Sequence, residues 1–472
     1  MLFNSLNFLV FFLLVYGLYL ALPHRAQNIL LLLASYFFYG CWDWRFLSLI
    51  AISTVIDYWA GRKISSTDGP KARKFYLLIS LFSNLLILGF FKYFNFFVSN
   101  ADALLHFVGF DASAWRLNIV LPVGISFYTF QTMSYTIDVY RRELNATKNF
   151  IDFATFVAFF PQLVAGPIER ASKLLPQIAG ARQVSWRAIQ TGLWLIFWGL
   201  FKKVVIADNL AEMVDEVFGW HVQFNAGTVF LGLYAFAFQI YCDFSGYSDI
   251  ARGLSRCMGI ELMVNFNNPY FAPNVSNFWR RWHISLSTWL RDYLYIPLGG
   301  NQKGIGRTYA NLILTMLLGG LWHGAAWTYV VWGGYHGVLL SINRLFASRR
   351  EKKLVPLPEY GWGRVVRVII TFHLVLIGWL FFRAVSLDQA FDMLLSAIRS
   401  PVVDPDVVNK AIAMCILCMP LWLVQILQER KADLMAVFQL PVFARSLLYF
   451  TLFMMLLVFG NTGSHQFIYF QF

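Results

Sequence analysis

Long apolar segments constrain this chain more than any other feature of its sequence. A helix needs about 20 apolar residues to cross the hydrocarbon core of a bilayer. Segments of this kind recur near residues 6–22, 28–41, 44–60, 76–98, 119–140, 188–206, 227–247, 308–326, 328–346, 365–385, 407–427 and 446–461. Only 13% of the residues are charged, against about 25% in soluble domains. The sequence therefore predicts an all-α polytopic membrane protein with about 11 to 13 helical membrane segments.

Prolines and glycines interrupt some of these segments. Pro122 and Gly124 break one of them, and Pro161 and Pro167 break a weaker apolar segment that follows. Broken or re-entrant helices are tolerated at membrane depth only where protein or a water-filled cavity covers the freed backbone groups. We expect a cavity-bearing helical body that forms a single domain over residues 1–472.

The distribution of the basic residues predicts an orientation. The net charge of +13 does not indicate nucleic-acid binding, because the lysines and arginines lie in short loops, where the positive-inside rule places them. The loops at 62–74, 141–148 and 344–353 are predicted to be cytoplasmic. Three spans precede the first of these loops, so the N-terminus is predicted to be periplasmic, with residues 6–22 retained as the first span. No lysine or arginine follows Arg445, and the C-terminus is predicted to be periplasmic as well.

Other motifs give weak signals. Cys415 and Cys418 form a C-x-x-C inside an apolar segment, without a second pair or a set of histidines that would indicate zinc, so we expect no metal site. Gly166-Pro-Ile-Glu-Arg170 predicts a helix start or the rim of a pocket. The glycine-rich segment 299–306 is interpreted as a flexible loop rather than a phosphate cradle, because no strand-turn-helix pattern surrounds it.

His323 is the strongest candidate for chemistry. It lies in Met316-Leu-Leu-Gly-Gly-Leu-Trp-His-Gly-Ala-Ala-Trp327, a stretch apolar enough to lie within a bilayer. Ionisable groups at this depth are costly and often functional, and an imidazole exchanges a proton near neutral pH. The neighbouring glycines would let a substrate or another backbone approach closely. From the residues alone, a general base and a packed histidine are equally supported.

His283 lies in the middle of an unusual segment, residues 278–295. This segment has helical period and many aromatic residues but also carries Arg280, Arg281 and further charges, so an amphipathic helix in the membrane interface is predicted. For His283 alone, a packed residue is favoured over a catalytic one. The two arginines are equally suited to an anionic phosphate and to lipid headgroups.

The remaining polar residues of the apolar segments are ranked lower. His336, in Gly-Gly-Tyr-His-Gly, is placed near the end of a span, and His373 is expected to pack on an apolar helix. Asp243 and Asp249 are placed beside a helix end. For these acids and for Asp57, a buried acid paired with an arginine or capping a helix is the favoured interpretation.

Several of these blocks resemble a known family. Phe278-Trp-Arg-Arg-Trp-His283, Leu290-Arg-Asp-Tyr-Leu-Tyr295 and Gly320-Leu-Trp-His-Gly324 resemble the membrane-bound O-acyltransferase family. Together with Gly166–Arg170, the blocks Tyr241-Cys-Asp-Phe-Ser-Gly-Tyr-Ser-Asp249 and Phe467-Ile-Tyr-Phe-Gln-Phe472 are similar to the branch that contains membrane subunits of bacterial alginate O-acetyltransferases. The resemblance extends over nearly the whole chain.

This resemblance implies a fold and an activity. Such proteins form a ring of tilted helices around a funnel or tunnel and pass an acyl group from a cytoplasmic donor to an acceptor reached from the other side. It implies catalytic roles for His323 and His283, with the phosphates of acetyl-CoA near Arg280 or Arg281. Acetyl-CoA would be a substrate, and no cofactor is bound permanently.

The resemblance also implies partners and a location. The protein would lie in the bacterial inner membrane, and the acceptor would be an exported polysaccharide, alginate or a similar polymer. The chain has no Gly-Asp-Ser block, so a periplasmic partner would supply serine-esterase chemistry. Two alternatives stay open: transfer of D-alanine to teichoic acid from a carrier-protein thioester, and a non-catalytic transporter or flippase.

Overall fold

Every regular element that the structure describes is helical. The structure is a computed structural model, and it describes residues 1–109, 111, 113–219, 224–353, 361–461, 463 and 467–468, with side chains of 348–353 excepted. No strand occurs within these ranges. The last four residues of the sequence block 467–472 lie outside the described residues.

The α-helices follow the predicted apolar segments closely. In the first part of the chain they are α1 Leu6–Ala21, α2 His24–Asp43, α3 Leu47–Ser66, α4 Pro70–Leu88, α5 Phe94–His106, α6 Ile125–Arg141, α7 Phe150–Ala158, α8 Phe160–Leu163 and α9 Ala171–Ala179. They continue as α10 Trp186–Leu200, α11 Asp208–Val217, α12 Ala226–Cys257, α13 Val275–Arg281, α14 Ile284–Leu290, α15 Ile305–His323, α16 Trp327–Lys353, α17 Trp362–Arg383, α18 Leu387–Arg399, α19 Pro405–Lys431 and α20 Val442–Phe459.

The helices confirm an all-α polytopic membrane protein. Six helical stretches of the described chain are long and apolar enough to cross a membrane: Pro70–His106, Trp186–Val217, Ala226–Cys257, Trp362–Arg383, Pro405–Lys431 and Val442–Phe459. The helix Leu6–Ala21 is apolar but shorter. Some of the remaining predicted spans form helices that are more polar or more buried.

Three turns of π-helix widen the described helices. They lie at Gly89–Tyr93 between α4 and α5, at Phe201–Ala207 between α10 and α11, and at Arg291–Tyr295 after α14. A π-turn shifts the side chains that follow it around the helix axis, and such turns are frequent at functional sites. The second one places two consecutive lysines, Lys202 and Lys203, in the interior, where 2% and 8% of their surfaces are exposed.

The chain divides into two compact units. Unit 1 comprises residues 1–196 and 248–263, and unit 2 comprises residues 197–247 and 264–472. The predicted breaks lie in unit 1. Gly124 has a φ of +75° just before α6, and the chain bends at Phe159 between α7 and α8, next to Pro161. The predicted helix start after Gly166–Arg170 is confirmed, because α9 begins at Ala171.

A buried carboxylate in unit 1 has partners other than those expected. Asp57 of α3 accepts hydrogen bonds from Ser80 Oγ at 2.6 Å and from Asn84 Nδ2 at 2.9 and 3.0 Å. Both partners lie on α4, one helical turn apart. The arginine or helix-cap interpretation was therefore wrong for Asp57, and neutral donors from the neighbouring helix satisfy its oxygens.

Glycines set the packing of α15 against α16 in unit 2. A Cβ added to Gly320 would overlap the carbonyl oxygen of Tyr329, and one added to Gly333 would overlap the carbonyl oxygen of Met316. The two backbones therefore approach each other as only glycine permits. These glycines position the C-terminal end of α15, and that end carries His323.

Candidate active site

His323 is the last residue of α15. The helix ends at Gly324, whose φ and ψ of −159° and 150° turn the chain away from the helical path. A Cβ on Gly324 would collide with the ring of Tyr329. The side chain of His323 is buried, with 4% of the residue exposed. The glycines around His323 thus serve helix packing and the turn after α15. Of the two possibilities that the sequence left open, a close substrate or a close backbone, the structure shows the close backbone.

Aromatic rings surround His323 on several sides. Its ring centroid lies 5.1 Å from that of Trp332 and 5.4 Å from that of Phe382, both in edge-to-face arrangement. The centroid of His283 lies 6.3 Å away. The structure therefore brings together the two histidines that the sequence singled out, although 39 residues separate them along the chain.

His283 lies at a break between two short helices. The predicted continuous helix over 278–295 is wrong, because α13 ends at Arg281 and α14 begins at Ile284. At the break His283 has a φ of +42°, in the left-handed region. The segment before α13 runs beside this break: Asn267 N donates to Arg281 O, and Ile284 N donates to Asn265 O, each at 2.9 Å. These bonds satisfy backbone groups freed by the break and keep it in place.

The side chain of Asn265 fixes the orientation and the tautomer of His283. The backbone N of Ser285 donates to Asn265 Oδ1 at 3.2 Å, and since a backbone N–H is only a donor, this atom of Asn265 is the oxygen. The same oxygen lies 3.1 Å from His283 Nδ1. Nδ1 therefore carries the proton and donates it to Asn265, which leaves the lone pair of the neutral imidazole on Nε2.

Burial keeps His283 neutral. The residue is 0% exposed, and this desolvation lowers the pKa of His283 to about 3. Phe244 of α12 packs edge-to-face on its ring with centroids 4.7 Å apart, and Phe266 stacks at 6.5 Å. In such an apolar environment a charged imidazolium is disfavoured. Near neutral pH, His283 is a hydrogen-bond acceptor at Nε2 rather than a cation.

The two neighbouring arginines differ in their surroundings. Arg280 is exposed. Arg281 forms an ion pair with Glu429 of α19 at 2.5 Å, and the other oxygen of Glu429 meets Arg364 of α17 at 3.2 Å. Arg281 therefore joins three helices of unit 2, and Arg280 is the more accessible of the two for an anionic ligand.

Further polar residues of the site were not found from the sequence. Asn265 and Ser285 hold His283, yet neither lies in a charged or periodic pattern that would have indicated this role.

Lys203 Nζ lies 2.7 Å from Asp208 Oδ1 and 2.6 Å from Asp243 Oδ1. Such a buried ion cluster follows from the π-turn that precedes α11, which the sequence does not reveal.

The position of the acids in α12 corrects a prediction. Asp243 and Asp249 lie inside α12 and not beside its end, because the helix runs on to Cys257. The pairing with an arginine is confirmed for Asp249, which meets Arg252 at 3.2 Å, whereas Asp243 pairs with Lys203 and, among the described residues, not with an arginine. Asp243 Oδ2 also accepts a hydrogen bond from the backbone N of Ile468 at 2.7 Å.

The two remaining histidines occupy different environments. His336 was placed near the end of a span, but it lies well inside α16 and is 0% exposed. His373 is exposed on α17, where Nε2 lies 2.7 Å from the hydroxyl of Tyr234. Trp332 lies between the two buried histidines of α15 and α16, since its ring centroid is 5.1 Å from His323 and from His336.

The arrangement is suited to proton transfer in a buried site. One imidazole lies at the end of α15 and the other at the break between α13 and α14, with their ring centroids 6.3 Å apart and aromatic rings around both. One of them, His283, is held as a neutral acceptor by Asn265. A base and a neutral acceptor in a low-dielectric site are the groups that an acyl transfer to a hydroxyl requires.

Comparisons with known proteins agree with the motifs. A model of the membrane-bound O-acyltransferase family matches residues 38–386. A probable alginate O-acetylase of Azotobacter vinelandii is 45% identical over 395 residues, which cover 83% of this chain and 77% of the relative. A peptidoglycan O-acetyltransferase of Helicobacter pylori is 38% identical over 426 residues, covering 84% and 79%. A teichoic acid D-alanyltransferase of Bacillus subtilis is 30% identical over 276 residues, covering 56% and 69%.

Proposed function

This chain belongs to the membrane-bound O-acyltransferase family, and we propose that it moves acetyl groups from cytoplasmic acetyl-CoA across the inner membrane for O-acetylation of an exported polysaccharide. It is a multi-pass membrane protein and an O-acyltransferase. In this proposal the substrates are acetyl-CoA and alginate or a similar polymer. The partner is a periplasmic acetyltransferase of the serine-esterase type. The relatives that carry an acetylase name match more of the chain at higher identity than the D-alanyltransferase does.

The meeting of His323 and His283 in one buried site supports this function most directly. We assign His323 as the general base. It takes the proton of an acceptor hydroxyl, whose oxygen attacks the carbonyl carbon of the thioester. The new C–O bond forms, the C–S bond breaks, and the departing sulfur receives the proton from His323. A thioester is an activated acyl donor, so positioning and proton transfer suffice.

The tautomer of His283 decides whether this residue can hold the acceptor or polarise the thioester carbonyl. A neutral imidazole with its lone pair on Nε2 accepts a hydrogen bond there, and it cannot donate one to a carbonyl from the same atom. We therefore assign His283 to hold the acceptor by accepting a hydrogen bond from a hydroxyl other than the one that gives its proton to His323. Polarisation of the thioester carbonyl must come from other donors.

The exposed arginine supports a place for the donor. A phosphate binds well to an accessible guanidinium, and Arg280 is exposed whereas Arg281 is committed to Glu429. We assign Arg280 to the phosphates of acetyl-CoA, with the Arg281 pair as a support for the helix break. This assignment presumes that the segment around α13 faces the cytoplasm.

The central experiment is the acetyl-ester content of the secreted polymer. We expect His323→Ala to abolish acetylation, because no other group takes the hydroxyl proton, while the protein still inserts and folds. His373→Ala is the matched control, since it removes an exposed histidine outside the site. Equal amounts of each protein in the membrane fraction are required for the comparison. Normal acetylation in His323→Ala contradicts the proposed function.

The nature of the donor needs its own experiment. The similarity to a teichoic acid D-alanyltransferase leaves D-alanyl transfer from a carrier-protein thioester as the second candidate. Membranes that contain the protein are supplied with radiolabelled acetyl-CoA or with a D-alanyl carrier protein, and we expect only acetyl-CoA to be consumed.

A flippase without catalysis would keep its function in His323→Gln, whereas the acyltransferase would not.

A further inference from the structure

A cluster of three rings, one of which contacts His323, holds polar atoms with no partner in the described part of the chain. Trp279 of α13 and Trp332 and His336 of α16 pack against one another, with ring centroids 5.7, 5.1 and 5.1 Å apart. Both indole Nε1 atoms and both ring nitrogens of His336 are buried and make no hydrogen bond to a described residue. A buried polar group without a partner costs about 1 to 3 kcal/mol, so four such atoms in one cluster require an explanation.

Packing alone does not explain His336. The residue is 0% exposed, and a phenylalanine or leucine would fill the space without a desolvation cost. The neighbouring helix also accommodates this imidazole. A Cβ on Gly378 of α17 would lie 2.5 Å from His336 Nε2, so the ring fits only because α17 has a glycine there. The cluster is thus built around an imidazole and not around an apolar ring.

Trp332 connects this cluster to the reacting histidine. It is 1% exposed, and its ring centroid is 5.1 Å from His323 on one side and from His336 on the other. Trp332 and His336 are four residues apart, so they lie on the same face of α16. A group that reacts next to His323 is therefore next to Trp332, and His336 follows on the same face of the helix.

The chemistry of the cluster indicates its ligand. The two indoles offer one N–H each, and a neutral imidazole offers one N–H and one lone pair. Donors therefore outnumber acceptors, and the cluster contains no charged side chain. A carbonyl oxygen, which accepts two hydrogen bonds, satisfies such a set, and so does the oxyanion that forms from it.

We propose that Trp332 and His336 donate hydrogen bonds to the carbonyl oxygen of the acyl group and stabilise the oxyanion of the tetrahedral intermediate. This inference rests on the proposed acyl transfer. When the acceptor oxygen bonds to the carbonyl carbon, the π electron pair of the C=O bond moves onto the carbonyl oxygen and the hydroxyl proton moves to His323. Both N–H groups then bind a negative oxygen. The pair returns to re-form C=O as the C–S bond breaks, and the sulfur takes the proton from His323.

This assignment supplies what His283 cannot. With its lone pair on Nε2, His283 accepts a hydrogen bond and does not polarise a carbonyl. Trp332 and His336 have the opposite character, because both offer an N–H in a site that excludes water. Preorganised donors in such a site act on the transition state without reorganisation, and removal of one donor typically lowers kcat about 10²- to 10³-fold.

The test removes each N–H while the ring packing is kept. Membranes with the full chain, radiolabelled acetyl-CoA and the host polysaccharide give kcat and KM for acetyl transfer. We expect Trp332→Phe and His336→Leu each to lower kcat about 100-fold, with a much smaller change in KM for acetyl-CoA. His336→Asn retains an N–H donor and should recover part of the loss, which a purely structural role would not predict.

Trp379→Phe is the matched control. Trp379 lies next to this cluster, with its ring stacked 6.2 Å from Trp332; it is 1% exposed, and its Nε1 is also buried without a partner among the described residues. The substitution also removes an indole N–H, but no ring contact joins Trp379 to His323 among the described residues. We expect its kcat to stay within about threefold of the wild type, since the oxyanion donors are unchanged.

The outcomes separate this inference from the function on which it rests. If His323→Ala is inactive while Trp332→Phe and His336→Leu both keep their kcat, the oxyanion assignment is overturned and the cluster binds water only. If His323→Ala remains active, the proposed function itself has failed. Should Trp332→Phe not fold in detergent, the contrast between His336→Leu and His336→Asn decides the question alone.

Discussion

At the scale of single residues, the site depends on the side-chain amide of Asn265, which no sequence motif indicates. Asn265 Oδ1 accepts hydrogen bonds from His283 Nδ1 and from the backbone and hydroxyl of Ser285, the last at 2.9 Å. One oxygen thus holds the tautomer of the histidine and the start of α14. His323 was singled out from the sequence because a polar residue in an apolar run is visible there, and His283 was singled out by the resemblance of its block to the family. Their supporting residues were not, because Asn265 is brought to the site by the chain path before α13.

Removal of this amide is the residue-scale test. We expect Asn265→Leu to lower acyl transfer about 10- to 100-fold, the range observed when the partner that orients a functional imidazole is lost. Asn265→Asp retains an acceptor for Nδ1–H and should be more active than Asn265→Leu. Its added negative charge stabilises the imidazolium and raises the pKa of His283, so the acidic limb of its pH profile should move to higher pH.

Kinetics as a function of pH check this prediction in the same membranes that are used for His323→Ala. The protein level and the melting temperature in detergent serve as controls for folding. Full activity of Asn265→Leu would show that the tautomer of His283 is unimportant for transfer.

At the scale of helices, the sequence predicted the elements better than their interruptions. The predicted span at 308–326 agrees within three residues with α15, Ile305–His323, because a long apolar run leaves few alternatives. The break at His283 was missed, since the helical spacing of aromatic residues continues through it. The break forms because the segment at Asn265 supplies hydrogen bonds from outside the helix, and such contacts between distant segments leave no local pattern.

The close approach of α15 and α16 gives an element-scale prediction. We expect Gly333→Ala to destabilise the protein by about 1 to 3 kcal/mol, because its Cβ would overlap the carbonyl oxygen of Met316. His323 at the end of α15 would be displaced, and activity should fall together with stability. Thermal unfolding in detergent and acetyl transfer are the two measurements.

Gly306→Ala is the control for this prediction. Gly306 lies near the start of the same helix α15, and nothing lies within 4 Å of a Cβ added there. Alanine is favoured over glycine in a helix by about 1 kcal/mol, so this variant should be as stable as the wild type or more stable. Equal destabilisation of both variants would argue against a specific glycine contact between α15 and α16.

At the scale of the whole molecule, large apolar side chains cover much of the surface. Leu14, Phe82 and Phe443 are 65%, 69% and 82% exposed, whereas Asp57 and Lys203 are buried beside the apolar core with hydrogen-bonding or charged partners. An apolar surface of this kind is stable where lipid replaces water. Composition alone predicted this class, but it gave no means to divide the chain into the two units.

The orientation in the membrane is the prediction at this scale. We expect the turn between α3 and α4, which is flanked by Arg62, Lys63 and Lys71, to be cytoplasmic and the N-terminus to be periplasmic. A cysteine introduced by Asp68→Cys should react with a membrane-impermeant maleimide only after the cells are opened, and one introduced by Asn4→Cys should react in intact spheroplasts. The exposed Cys41 and Cys415 are first replaced by alanine. The opposite pattern would invert the topology and place acetyl-CoA entry at the other face.

The widened turn at Phe201–Ala207 restricts the number of residues in this segment more strictly than their identity. A π-turn holds one residue more than the α-turn it replaces. Loss of a single residue here would restore a regular α-turn and change the directions of the side chains within the turn. Lys203 could then no longer meet both Asp208 and Asp243. Evolution along this stretch should therefore proceed by exchange of side chains, while insertions and deletions are eliminated.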